Sequence, residues 1–179
     1  GVTSVIEPAK SRDHTERMLR HFGVEVNTQT NLDGSYIASV TGGITLQAND
    51  IIVPRDPSSA AFLIVAGLIT KNSQLLLPTI GMSPERIGLI TTLREMGGRI
   101  EISNQREVGG EQVADIKVSS SQLKGIVIPS DRAPSMIDEY PILCIAAAMA
   151  TGPSLMENIG ELRHKEADRI AIMAKGLRL

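Results

Sequence analysis

Pro84-Glu-Arg-Ile-Gly-Leu-Ile-Thr-Thr-Leu-Arg-Glu-Met-Gly97 reads as a helix closed by glycine, and two strands follow it, Arg99-Ile-Glu-Ile-Ser103 and Ala114-Asp-Ile-Lys-Val118. The same order stands seventy-four positions earlier, counted from Gly23 to Gly97. There Arg12-Asp-His-Thr-Glu-Arg-Met-Leu-Arg-His-Phe-Gly23 is the helix and Val24-Glu-Val-Asn27 the first strand. After a turn at Asp33-Gly34 comes the second strand, Tyr36-Ile-Ala-Ser-Val40. A third copy begins at Lys165 and ends with the chain. Glycine just past a helix supplies the left-handed backbone that lets the chain turn back as a strand. Self-similarity at a fixed spacing marks a repeated structural unit.

A second helix type precedes each of the last two copies. Asp56-Pro-Ser-Ser-Ala-Ala-Phe-Leu-Ile-Val-Ala-Gly-Leu-Ile69 and Asp138-Glu-Tyr-Pro-Ile-Leu-Cys-Ile-Ala-Ala-Ala-Met149 are apolar on nearly every face, which predicts burial all round. Each lies between two strands: Asp50-Ile-Ile-Val53 and Gln74-Leu-Leu-Leu77 for the first, Gly125-Ile-Val-Ile128 and Ser154-Leu-Met-Glu157 for the second. The unit is therefore strand, buried helix, strand, amphipathic helix, strand, strand. Two strand–helix–strand crossovers per unit predict an α/β (α+β) fold of repeated βαβαββ units, with mixed sheets around the buried helices. The pattern restarts at Arg55, the expected domain junction. Residue 1 is Gly, Thr3-Ser-Val-Ile-Glu7 reads at once as a strand, and Leu179 stands just past a helix, so an internal piece of a longer protein is expected.

Composition excludes several functions. With 179 residues, 42% of them hydrophobic, and a formal charge of −2, the chain can bury a real core. It lacks the basic excess and the aromatic residues that nucleic-acid binding uses, having two Tyr, two Phe and no Trp. Its one cysteine, Cys144, lies in an apolar run and reads as a small buried hydrophobe. His14, His21 and His164 have no metal-ligand spacing, and no signal peptide or membrane-length apolar stretch is visible. No metal, cofactor, nucleic-acid or membrane partner is expected, and the cytoplasm is the default location.

Charge concentrates in Glu161-Leu-Arg-His-Lys-Glu-Ala-Asp-Arg169, ahead of Ile170-Ala-Ile-Met-Ala-Lys-Gly-Leu177. A helix beginning near His164 would project Lys165, Glu166 and Arg169 from one side of its first two turns. Such a cluster at a helix start is either a set of exposed ion pairs, worth a few tenths of a kcal/mol each, or an anion site. Asp138 has two readings as well, an N-cap for its apolar helix or a functional carboxylate. Asp56-Pro57-Ser58-Ser59 reads as a capped helix start, and Glu139 as a helix-start acid without a direct part.

Arg12-Asp-His-Thr-Glu16, Asp56-Pro-Ser-Ser59, Met136-Ile-Asp-Glu-Tyr-Pro141 and Glu161-Leu-Arg-x-Lys-Glu-x-Asp-Arg169 resemble, in order and spacing, the successive signatures of the 5-enolpyruvylshikimate-3-phosphate synthases. The resemblance spans the chain and is to the bacterial, glyphosate-tolerant type. It implies a two-domain enzyme with three βαβαββ units per domain and an active site in the cleft between them. Residues 1–54 would then be the last unit of one domain, and residues 55–179 one complete and one partial unit of the other. The implied reaction transfers the enolpyruvyl group of phosphoenolpyruvate to the 5-hydroxyl of shikimate 3-phosphate and releases phosphate, without a cofactor. A monomeric full-length enzyme, with glyphosate as an inhibitor, is implied too.

By the same resemblance, Asp138 is the proton acceptor that holds the shikimate hydroxyls, and Glu166 a proton shuttle beside the reacting carbons. Lys165 and Arg12 contact shikimate 3-phosphate, and Arg169 grips phosphoenolpyruvate, where a planar fork suits an oxyanion. Arg12 and Asp13 are open to a simpler reading, a capped helix start. Arg163 and Asp168 fit the motif but read as outward-facing or structurally paired residues. The chain departs from the family at Arg55, where glycine is usual and positive φ would strain an arginine, and at His164, where a small apolar residue is common. The family's early Lys-Ser segment, Asn-Ser-Gly-Thr loop, Ser-x-Gln site and late Asp-Asp-His-Arg segment are not in this sequence, which predicts a chain without turnover on its own. Two alternatives stay open: the related transferase acting on UDP-N-acetylglucosamine, which carries a reactive loop cysteine, and a non-catalytic βαβαββ binding module.

Overall fold

The computed structural model describes residues 1–178; Leu179, the last residue of the expected second segment, lies outside the described residues. The first repeat is β1 (Val2–Glu7), α1 (His14–His21), β2 (Val26–Thr30) and β3 (Tyr36–Thr41). Gly23 takes φ +82° just past α1, as its place after a helix predicts. β3 pairs antiparallel with both other strands, giving the order β1-β3-β2.

After an exposed segment, α2 (Pro57–Ile69) leads into β4 (Gln74–Gly81), α3 (Gly88–Glu95), β5 (Arg99–Val108) and β6 (Glu111–Ser119). The order β4-β6-β5 repeats the first sheet strand for strand, and Gly97 repeats the role of Gly23 with φ +93°. Asp115 on the central strand ties down both sheet irregularities, accepting from the Thr79 N–H at 2.9 Å and from Asn104 Nδ2 at 2.9 Å. The last unit is β7 (Val127–Ile128), α4 (Tyr140–Ala148), β8 (Leu155–Met156) and α5 (Arg169–Gly176), with β7 and β8 parallel.

The fold class is the α/β architecture that the repeats predict, with specific differences. The expected strand Asp50–Val53 does not form. Pro54 lacks an N–H to continue a ladder, and parallel pairing begins only at Arg55, in a single bridge to Ile80. Arg55 is not among the residues of positive φ, so the expected strain is absent; its N–H bonds Thr79 O at 3.0 Å and its carbonyl accepts from Gly81 N at 2.9 Å. The predicted helix from Pro84 splits into a 3₁₀ turn, Pro84–Arg86, and then α3.

The hydrophobic core joins Ile64, Val65 and Leu68 of α2 to Leu93 of α3, Ile116 and Val118 of β6, and Leu143 and Ala146 of α4. All its fully buried members lie between Ala60 and Leu162, and none comes from the first sheet. α2 is not buried all round among the described residues: Phe62 is 61% exposed and Leu63 52%. Its opposite face is the packed one. No helix among the described residues is long and apolar enough to cross a membrane.

Candidate active site

The charged stretch does not start a helix at His164. Gly160–His164 is a 3₁₀ turn, Lys165 is extended, and Asp168 caps α5 by accepting from Ala171 N at 2.9 Å. An aspartate with a free backbone amide three residues on is a better start than a histidine, so the helix begins five residues after the expected His164. The predicted one-sided cluster is thereby divided. Lys165 turns back to Glu161, with Nζ 2.7 Å from Oε1. Arg169 instead holds Glu166 through two parallel bonds, Nε to Oε1 at 2.9 Å and Nη2 to Oε2 at 2.8 Å. This guanidinium, first through its hydrogen bond, keeps the Glu166 carboxyl below the usual carboxylate range, and Glu166 in turn raises Arg169. Arg163 pairs with Asp168 at 2.9 Å, and His164 is exposed.

Asp138 does not cap α4. It lies in the 3₁₀ turn Ile137–Glu139, Glu139 takes the cap position, and no side chain bonds the first turn there. The Asp138 carboxylate faces two arginines instead: Arg169 Nη1 is 3.2 Å from Oδ1 and Arg12 Nη2 is 3.4 Å from Oδ2. Three segments far apart in sequence therefore meet at one carboxylate, and Glu166 joins through Arg169. Of the five predicted site residues, Arg12, Asp138, Glu166 and Arg169 form this chain of contacts, whereas Lys165 is paired elsewhere. Asp138 keeps 40% of its side chain exposed, so each pair contributes only ~0–1 kcal/mol of stability. Their value is geometric. Two guanidinium forks beside an open carboxylate can take up an anion while that carboxylate accepts a proton.

Arg12 reaches Asp138 from the loop before α1, and buried chemistry holds that loop. Asp13 makes no cap bond. Its carboxylate accepts from Arg17 Nε at 2.8 Å and Nη2 at 3.0 Å, and Lys10 lies 3.3 Å away. Burial pushes the Asp13 carboxyl up, but Arg17 and Lys10 outweigh it and leave it below the usual range. Lys10 continues to Glu85 at 2.7 Å, and His14 Nδ1 meets Glu111 Oε1 at 2.7 Å, so the first repeat is tied to the second where Arg12 crosses.

Asp56 is the cap its sequence predicts. It accepts from Ser58 N at 3.2 Å, Ser59 N at 2.9 Å and Ser59 Oγ at 2.8 Å, with Pro57 in the first turn. Glu139 differs from expectation, for it is buried and accepts a hydrogen bond from Ser58 Oγ. Pro141 was the available signal: confined to the first turn, it starts α4 after Glu139 rather than at Asp138.

A family model described as EPSP synthase (3-phosphoshikimate 1-carboxyvinyltransferase) matches residues 1–179. The chain belongs to the EPSP synthase family. Among curated relatives of EPSP synthase type, the 3-phosphoshikimate 1-carboxyvinyltransferase of Zymomonas mobilis is 55% identical over 178 residues, which are 99% of this chain and 39% of that protein. The enzyme of the same name from Methylorubrum populi is 54% identical, over 99% of this chain and 40% of its own length. The solved EPSP synthase of Acinetobacter baumannii superposes with a TM-score of 0.93 at 47% identity, over 99% of this chain and 39% of that one. A more distant likeness, to the enolpyruvyl transferase NikO of Streptomyces tendae, has a TM-score of 0.62 at 18% identity over 87% of this chain and 35% of that one, and concerns the fold alone. The chain thus spans about 40% of the length of the EPSP synthases it matches.

Proposed function

We propose that this chain is a segment of an enzyme that transfers the enolpyruvyl group of phosphoenolpyruvate to the 5-hydroxyl of shikimate 3-phosphate. The observation that carries the reading is the convergence of Arg12 and Arg169 on Asp138, with Glu166 held by Arg169. In this reading the hydroxyl oxygen bonds the central carbon of phosphoenolpyruvate while Asp138 takes the hydroxyl proton and the methylene carbon gains one. Phosphate then leaves as that carbon gives a proton back. Glu166 is the residue beside the methylene carbon. Arg169 turning from Glu166 to the carboxylate of phosphoenolpyruvate would return the Glu166 carboxyl toward its ordinary range, so substrate binding would prepare the proton donor.

Arg12 and Lys165 would hold shikimate 3-phosphate, with Lys165 leaving Glu161 to do so. Residues 1–54 would belong to one domain and 55–179 to the other. The whole enzyme would work as a cytoplasmic monomer, with glyphosate as an inhibitor, and this chain alone would not turn over. Cys144 sits in α4 with its thiol pushed up by burial, unlike the reactive loop cysteine of the UDP-N-acetylglucosamine transferases. The test is Asp138→Ala in the full-length enzyme that carries this segment. General-base catalysis predicts a loss of about 10²–10⁴ in kcat with an unchanged circular dichroism spectrum. Near-normal turnover refutes the proton-acceptor role.

A further inference from the structure

Glu139 has a buried carboxyl that the reaction above does not use. It is 6% exposed, and Asp13 is the one other carboxylate in the buried class among the described residues. Each directly follows a member of the Arg12–Asp138 pair. Asp13 answers to Arg17 and Lys10, as described. Glu139 answers to α2. It accepts from Ser58 Oγ, which accepts in turn from Arg86 Nη2 at 2.8 Å, and the same nitrogen reaches Asp56 Oδ1 at 2.7 Å. Asp56 and Ser58 form the first turn of α2, whose other end is anchored in the core by Ile64, Val65 and Leu68.

Around Asp138 every neighbour but the aspartate itself is held. Met136 and Tyr140 are 1% exposed, Ile137 packs against the core, and the Glu139 N–H bonds Met136 O at 3.0 Å. A leucine in place of Glu139 would bury at lower cost, since a carboxyl must be desolvated to reach this position. Burial does push the Glu139 carboxyl up, while Ser58 and Arg86 act against it. What the carboxyl supplies that a leucine cannot is a directional bond to a rigid helix start.

We infer that Glu139 is a positioning residue that acts through Ser58 to hold Asp138 at its working angle to the substrate hydroxyl. The inference rests on the reading of Asp138 as proton acceptor. Its consequence falls on kcat more than on binding, because Arg12, Lys165 and Arg169 are not attached to Glu139 and Asp138 is one of several groups that hold the substrates.

The test uses the full-length enzyme carrying this segment, with kcat and both KM values measured per folded molecule. Glu139→Ala is expected to lower kcat by about 10²-fold, the effect of a displacement near 1 Å, with both KM values changed by less than about tenfold. Glu139→Gln keeps an acceptor for Ser58 and is expected to restore kcat to within about threefold. Ser58→Ala is expected to lower kcat too, and the double variant to be no slower than Glu139→Ala, because both remove one connection. Should Glu139→Ala not fold, Ser58→Ala, which leaves the core intact, decides; an unchanged kcat there overturns the inference. It is overturned equally if Glu139→Ala lowers only Tm, or if the two losses add in full. Asp138→Ala separates the two levels. Normal turnover in that variant overturns this inference and the reading beneath it, whereas an inactive Asp138→Ala beside a fully active Glu139→Ala removes this inference alone.

Discussion

Replacing Asp56 by alanine removes four interactions at once from the start of α2: the bonds from Ser58 N, Ser59 N and Ser59 Oγ, and the ion pair with Arg86 at 2.7 Å. Loss of an aspartate cap costs about 1 kcal/mol, within a range of 0.5–2. The Arg86 pair adds ~0.2–1 kcal/mol, since both side chains are partly exposed. Arg86 keeps Ser58 Oγ as a partner, which holds its share toward the lower figure. The expected total is about 1–2.5 kcal/mol, or roughly 2–10 °C in Tm for a chain of this size. Asp56→Asn separates the terms: its one amide oxygen can keep the Ser59 bonds while the Arg86 pair and the Ser58 N bond are lost, so it should cost less than alanine, about 1 kcal/mol.

The acid side supplies a second check. Burial pushes the Asp56 carboxyl up, but the bonds from Ser59, Ser58 and Arg86 outweigh it, and the net result lies below the usual carboxylate range. A depressed folded pKa means stability that is present above the unfolded value, about pH 4, and is lost as pH falls through the folded value. The gap between the parent and Asp56→Asn should therefore be full at pH 6 and close in acid. Urea unfolding followed by circular dichroism measures both series. Equal midpoints for the alanine and asparagine variants at pH 6, or a parent-to-asparagine gap that persists in acid, would refute the cap-plus-pair account.

Leu143→Ala, at a position with no exposed surface beside α2, should cost about 2–5 kcal/mol by urea unfolding, and a loss under 1 would deny α4 its place in the core. Gly88→Ala brings a methyl onto Ser135 Oγ and within 3.1 Å of Met136, so it should cost about 1–3 kcal/mol despite the better helix propensity of alanine; a more stable variant would contradict that packing. In the full-length enzyme, Arg169→Ala should chiefly raise KM for phosphoenolpyruvate, by about 10²-fold for a lost charge-assisted pair, and an unchanged KM would remove the proposed grip.

The repeat was legible because its signals are local. A glycine that permits positive φ at Gly23 and Gly97, a cap at Asp56 and apolar periodicity act within a few residues of themselves, so helix, turn and strand could be read in order. The strand order with β3 and β6 central was not among those signals, nor was the failure of Asp50–Val53 to pair, because pairing depends on a partner remote in sequence. The exposed side of α2 belongs to the same class. Phe62 and Leu63 read as core from their own chemistry, and only the neighbours present decide whether they are covered.

The candidate site divides along the same line. Spacing singled out Lys165, Glu166 and Arg169 as a cluster, and the resemblance of the motifs to the family added Arg12 and Asp138. Only the tertiary structure decided that α5 starts at Arg169, that Lys165 faces Glu161, that Asp138 serves two arginines rather than a helix end, and that Glu139 is buried against Ser58. The reason is range. Capping and periodicity are settled by bonds that close within a turn, whereas an ion pair across 126 positions, Arg12 to Asp138, exists only when packing has already brought its ends together.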